Sequence, residues 1–277
     1  MFRKLHLLLI VSAITVISCN ARTIKILAIG NSFSEDAIEQ NLYEIASAAG
    51  DTAIIGNLYI GGCELEKHAH NAIYDAPAYR YRKIGADGNR VQTDRTTIRQ
   101  ALADDTWDVV TLQQASHYSG LPESYTPWIN MLVSFVRENT DYDPLIGFHQ
   151  TWAYASASDH WAFVYYGYNQ ADMYRRICSA ARQAMTASGI SLVIPAGTAI
   201  QNCRTSYIGD NLNRDGFHLD LKLGRYLAAC TWYESLFGSD VQGNHFLPEG
   251  VDKNDAATAQ RAAHAAVTSP WQVTPIK

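Results

Sequence analysis

The sequence predicts an α/β domain with a doubly wound parallel sheet of about five strands, flanked by helices and carrying a small inserted β-hairpin. Three observations lead there. Apolar runs alternate with longer segments of helical periodicity, the runs are short, as in parallel strands covered by helices on both faces, and no repeat or low-complexity tract interrupts the plan. The chain has 277 residues, 47% hydrophobic and 18% charged, which suits one domain with a substantial core.

Taken in order, residues 24–29 read as the first strand and 35–49 as a helix; 53–59 form the second strand. Residues 79–84 and 90–93 flank Asp87-Gly88, a turn pair that predicts a β-hairpin between the second and third strands. Strands follow at 109–112, 145–148 and 192–194, separated by helices at 128–138 and 172–187. A helix at 221–237 closes the core, which spans about residues 23–237. The extension, 238–277, contains an Ala-rich helix at 255–267 and reads as packing or a frayed end rather than function.

Two motifs far apart carry the chemistry. Gly30-Asn31-Ser32-Phe33-Ser34 follows the first strand, and Asp215-Gly216-Phe217-His218 precedes the last core helix. A serine hydroxyl is a weak nucleophile until an imidazole accepts its proton, and a carboxylate fixes the tautomer of that imidazole. Ser32 falls on a strand-to-helix turn at the carboxyl end of a strand, where open α/β sheets bind ligands. Alone, Gly-Asn-Ser is an ordinary turn and Asp215 a residue near a helix N-cap; the order of the motifs and the element boundaries favour chemistry.

This pattern resembles the SGNH (GDSL-like) hydrolase superfamily, and within it a branch whose nucleophile block reads Gly-Asn-Ser-Phe-Ser. The resemblance covers about residues 23–237 and implies a flavodoxin-like fold with Ser32 as nucleophile, His218 as general base and Asp215 as the orienting acid. It also implies an oxyanion hole made by a glycine after the second strand and an asparagine after the third. Gly61-Gly62 matches the glycine block, with Gly62 the donor. The third block departs, reading Gln113-Gln114-Ala115-Ser116, so Gln114 is the expected substitute donor. Asn31 stands where the superfamily has Asp.

Substrate clues concentrate between Phe148 and Tyr168, where aromatic residues crowd after the fourth strand. Aromatic faces with polar tips suit sugar rings. Trp152 and Tyr154 are the expected substrate contacts, with His117 and His149 at neighbouring strand ends. The histidines do not suggest a metal: His68-Ala69-His70 lacks a partner motif, and on a helix the two rings point apart. No cofactor is expected.

The amino terminus indicates export. Arg3 and Lys4 precede an apolar stretch too short for a confident membrane span, and Val16-Ile17-Ser18-Cys19 resembles a bacterial lipobox. That resemblance implies a signal peptide at 1–18, a mature domain at 19–277 and lipidation of Cys19, anchoring the protein to the cell envelope; ordinary cleavage near Ala21 would release it instead. Cys63, Cys178, Cys203 and Cys230 are then either disulfide partners, in pairings the sequence does not rank, or buried thiols. The formal charge of -5 falls to about -7 without Arg3 and Lys4, and no basic run tracks phosphates, which argues against a nucleic-acid partner.

The expected function is an exported esterase removing acyl groups, acetyl foremost, from carbohydrate. A non-catalytic glycan-binding or accessory surface lipoprotein, and a lipid or thioester hydrolase on the same fold, remain the alternatives.

Overall fold

The computed structural model describes residues 21–277; the expected signal segment and Cys19 lie outside the described residues. Seven strands make one sheet: β1 (Thr23–Gly30), β2 (Thr52–Tyr59), β3 (Tyr79–Ile84), β4 (Arg90–Thr96), β5 (Val109–Leu112), β6 (Leu145–His149) and β7 (Leu192–Ile194). Their spatial order is β4-β3-β2-β1-β5-β6-β7. The five strands from β2 to β7 by way of β1 are parallel. The chain leaves β1 toward β2 and later returns to β1's other side as β5, so the switch point lies between the carboxyl ends of β1 and β5.

The helices are α1 (Ser32–Ile38), α2 (Leu42–Ala48), α3 (Leu65–Ile73), α4 (Ile98–Ala103), α5 (Trp128–Glu138), α6 (Gln170–Ser188), α7 (Ala196–Arg204), α8 (Leu223–Phe237) and α9 (Lys253–Thr268). They cover both faces of the sheet. In β1, Ile26 and Ala28 enter the core shared with α1, α2 and α8, while Leu27 and Ile29 enter the core shared with α3, α4 and α5. A strand buried on both faces has no polar side to show, which is why β1 reads as a continuous apolar run.

The hairpin is more than an insertion. β3 pairs antiparallel with β2 from Ile55 opposite Ile84 to Tyr59 opposite Arg80, and β4 pairs with β3. An edge strand presents unpaired backbone groups, and the hairpin satisfies those of β2. The new edge, β4, is exposed from Arg90 to Arg95 and carries Arg90, Asp94 and Arg95, charges that discourage further pairing.

The helix expected over 35–49 is two helices. At the break, the Glu39 carboxylate accepts from Asn57 Nδ2 and Arg82 Nη1, and Gln40 Nε2 donates to the Leu221 carbonyl. These tertiary bonds turn the chain where neither proline nor glycine marks a stop. α3, α4 and α7, of nine, six and nine residues, are not among the helices expected above; segments this short give periodicity few turns in which to show. The C-terminal extension is part of the core: α9 lays Ala259, Ala262, Ala263 and Ala266 against the cluster that holds α7 and α8.

One close approach ties α7 to the segment that follows β6. A Cβ on Gly197 would stand 2.1 Å from the Thr151 carbonyl oxygen and 3.1 Å from the Trp152 Cα. Both obstacles are backbone and cannot swing aside. Gly197→Ala should therefore lower unfolding stability by about 3 kcal/mol, read by urea denaturation followed by circular dichroism; an unchanged midpoint would mean the contact is looser than the structure has it.

Candidate active site

The turn that carries Ser32 is built by its own sequence. β1 ends at Gly30, where a Cβ would meet the Ser34 hydroxyl at 2.3 Å. Asn31 follows in an extended conformation and caps α1, its Oδ1 accepting from Phe33 N at 2.9 Å. Ser32 is the first residue of α1.

The Asp-x-x-His loop arrives from the far end of the chain. Asp215 Oδ1 accepts from His218 N at 2.7 Å and Phe217 N at 3.2 Å, so the loop folds around its own carboxylate. Asp215 Oδ2 lies 2.7 Å from His218 Nδ1, and His218 Nε2 lies 2.8 Å from Ser32 Oγ. Gly216 sits at φ +85°, and a Cβ there would also strike Ser158, so the turn requires glycine. Partial burial raises the Asp215 carboxyl, but its bonds to the His218 ring and to two backbone N–H groups outweigh that and hold it below the ordinary carboxylate range. An ionised Asp215 fixes the proton on Nδ1 and leaves Nε2 free to accept from Ser32.

Asp36 clamps these two parts together. Its side chain is fully buried, and it meets Arg214 at 3.1 Å, Arg225 at 2.6 Å and the Leu219 N–H at 2.8 Å. Arg214 also donates to the Leu219 carbonyl. Burial pushes the carboxyl up against the pull of Arg225 and Arg214. Asp36 carries no mark in the sequence: an acidic residue one turn into a helix gives no local sign that its partners lie nearly 200 residues away.

The cleft over Ser32 encloses about 200 Å³ and is lined by Gly61, Gly62, His117, His160, Phe217 and His218, among others. Gly62 is at φ +62°, and neither its N–H nor that of Ser32 has an acceptor among the described residues. Both are therefore available to an anion. A larger groove of about 690 Å³ runs between α6 and Trp271, but it contains no nucleophile paired with a base.

Gln114 is not placed as expected. Its Nε2 donates to the carbonyl and the hydroxyl of Ser124, and its Oε1 accepts from Leu65 N and Ala115 N. With both amide hydrogens engaged, it has none left for an oxyanion. Its neighbour has the more direct link to the site: Gln113 Nε2 donates to Asn31 Oδ1 at 2.7 Å, and Gln113 Oε1 pairs with His149 Nδ1 at 2.8 Å. Asn31 Nδ2 in turn donates to the Cys63 carbonyl at 3.0 Å, beside Gly62. The orientation of Asn31 is unambiguous, because Phe33 N only donates and the Cys63 carbonyl only accepts.

Three of the expected substrate contacts are interior. Trp152 and Tyr154 are both 0% exposed. Trp152 stacks on Phe33 with centroids 4.1 Å apart and donates to the Phe217 carbonyl, so it braces the neighbours of both Ser32 and His218. The Tyr154 hydroxyl bonds Ser116 Oγ. His149 is buried behind Gln113, and burial lowers its pKa to about 3, so the ring is neutral. Only His117 reaches the cleft; it lies 3.6 Å from Glu64, and burial outweighs that carboxylate to lower its pKa. The aromatic run was too crowded for the chain order to tell which faces turn inward.

The four described cysteines are free and buried, with no disulfide among them. Among the described residues, Glu234, Asp240 and His264 form the group able to hold a metal, far from Ser32 in the C-terminal half. His264 Nδ1 is already hydrogen-bonded to Glu234 and near Asp240, and Glu234 Oε2 takes the Val241 N–H. No helix of the described residues is long and apolar enough to cross a membrane.

The Asn31 network predicts a specific sensitivity. Asn31→Asp keeps the acceptor for Phe33 and Gln113 but replaces the donor to Cys63 with a second anionic oxygen. The Gly61-Gly62 turn then loses its tether and the Cys63 carbonyl its partner, and unfolding stability should fall by about 1–3 kcal/mol in urea denaturation. An unchanged midpoint would remove this amide from any role in holding the turn.

The chain resembles a solved protein of Bacteroides uniformis, described as a DUF4886 family protein, at 50% identity over 92% of this chain and all of that one, with a TM-score of 0.91. More distant structures share the fold. One proposed to be an SGNH hydrolase, from Slackia heliotrinireducens, is 22% identical, covers 77% of this chain and 99% of its own, and has a TM-score of 0.53. An acetyl xylan esterase is 14% identical over 77% of this chain and all of its own, at a TM-score of 0.50. No curated protein sequence matches the chain. A family model matches residues 25–266, and the chain belongs to that family, the domain of unknown function DUF4886.

Proposed function

We propose that the protein is a serine esterase that removes acyl groups, acetyl foremost, from carbohydrate esters by way of an acyl-enzyme. One observation carries the reading: the hydrogen-bonded chain Asp215, His218, Ser32 opens into a cleft where two backbone N–H groups are unclaimed. Ser32 Oγ attacks the ester carbonyl carbon while His218 Nε2 takes its proton. The carbonyl oxygen, now an anion, receives the N–H groups of Ser32 and Gly62. His218 returns the proton to the departing alkoxide, and the acyl group stays on Ser32. Water, deprotonated by the same imidazole, then attacks the acyl-enzyme; acid leaves and Ser32 regains its hydrogen.

The size of the cleft supports a short acyl group. At about 200 Å³ it is smaller than the roughly 300–1,000 Å³ of pockets that enclose drug-sized ligands. The fold is shared with an acetyl xylan esterase, a likeness of architecture that fits the reading without selecting it.

Hydrolysis of p-nitrophenyl acetate tests the chemistry. Ser32→Ala and His218→Ala should abolish turnover while leaving the thermal midpoint near that of the parent, and Asp215→Asn should lower kcat about a thousandfold or more. Activity that survives Ser32→Ala in a folded variant would refute the mechanism.

The esterase is further proposed to act outside the cytoplasm on a lipid anchor at Cys19, a reading that rests on the charged and apolar leader and the lipobox-like residues 16–19. Cys19→Ala should move the protein from the membrane pellet to the soluble fraction. If the parent is already soluble, the anchor is absent.

A further inference from the structure

The aromatic segment does present a face to solvent beside the cleft, but not through the residues expected. Trp161 is 61% exposed, and Tyr165 stands edge-on to it at 5.8 Å with planes 84° apart. The Trp161 ring lies 5.5 Å from His117 and 5.6 Å from His160, and both histidines line the cleft over Ser32. We propose that Trp161 is the platform on which the sugar ring of the ester substrate stacks while its acyl group enters the cleft, an inference that rests on the esterase reading above.

Three features support this role. First, the cleft is small and open at its mouth, so the alcohol half of an ester whose acyl group enters it extends outward past His117 and His160, against which the exposed Trp161 ring packs. Second, the platform is rigid. It opens the 3-10 helix Trp161–Tyr166, which begins where the His160 side chain accepts from Ala162 N and ends at Gly167, φ +59°. That helix is anchored beneath by buried Phe163 and Tyr166. Tyr166 donates to the His117 carbonyl at 3.1 Å and accepts from Gly120 N at 3.0 Å, and Arg176 holds the Tyr165 carbonyl at 2.6 Å. A stacking surface fixed before binding loses little entropy when it is used.

Third, polar groups accompany the ring. His117, which packs against the Trp161 ring, lines the cleft and pairs with Glu64 at 3.6 Å, offers a hydrogen-bonding group to hydroxyls at the platform's edge. An apolar face with polar groups beside it matches a sugar, whose C–H faces stack while its hydroxyls bond. A long acyl chain or a lipid would instead need a continuous apolar trough, and His117 and His160 interrupt one here. A solitary exposed tryptophan would call for no explanation; one fixed against two cleft-lining histidines does.

The test compares a ring-bearing ester with one too small to reach the platform. Steady-state hydrolysis of an acetylated xylo-oligosaccharide and of ethyl acetate is measured for the parent, Trp161→Ala and Trp161→Phe. Loss of one stacking contact should raise KM for the sugar ester about tenfold in Trp161→Ala, with most of the loss recovered in Trp161→Phe and kcat nearly unchanged. Ethyl acetate turnover should stay within about twofold in all three. Equal losses on both esters, or unchanged sugar kinetics in Trp161→Ala, would overturn the platform and leave the esterase standing. So would a parent that hydrolyses ethyl acetate but no acetylated sugar. A parent that hydrolyses neither would remove the esterase reading, and the platform with it.

Discussion

The candidate site depends on one buried carboxylate. Ser32 and His218 belong to opposite ends of the core, and Asp36 holds them in register by gripping Arg214, Arg225 and the Leu219 N–H from within α1. Breaking such a buried pair by removing one partner costs about 3–5 kcal/mol, because the arginines would be left without a counter-charge in a poorly solvated place. The 2.8 Å contact between Ser32 and His218 is thus supported from below by charge and from the side by Trp152, which stacks on Phe33 and bonds the Phe217 carbonyl. Neither support touches the cleft itself.

A second network joins the two positions, 31 and 113, at which the sequence differs from the pattern it resembles. Asn31 in place of aspartate supplies a donor as well as acceptors, and Gln113, at the end of β5, uses its own amide to complete the set. His149 closes the chain from behind, neutral because burial disfavours its charge. The end of β1, the Gly61-Gly62 turn and the ends of β5 and β6 are joined by three hydrogen bonds among side chains and backbone. An aspartate at position 31 could not donate to Cys63, so the asparagine and the glutamine are best understood as one arrangement.

The aromatic segment shows how burial reverses an argument from composition. Trp152 and Tyr154 have the right chemistry for sugar contact but follow β6 directly, where the chain still runs beneath the helices. Trp161, a few residues later, sits on a 3-10 turn with its partners below it and solvent above. Composition could identify the segment, and only packing could choose the residue.

Much was legible without coordinates. The parallel strands appear as unbroken apolar runs because both faces of the sheet are covered, and the hairpin is marked by Asp87-Gly88. The order of Ser32 and the Asp215-to-His218 loop is also a property of the chain, since Asp215 reaches His218 through local bonds within its own turn. Tertiary structure alone decided the break between α1 and α2, the pairing of the hairpin with β2, and the commitment of Gln114 to Ser124. It also decided which aromatic faces stay exposed. The division has a physical cause: periodicity and turn chemistry act between near neighbours, whereas a hydrogen-bond donor such as the Gln114 amide is claimed by whichever acceptor the folded chain brings within about 3 Å.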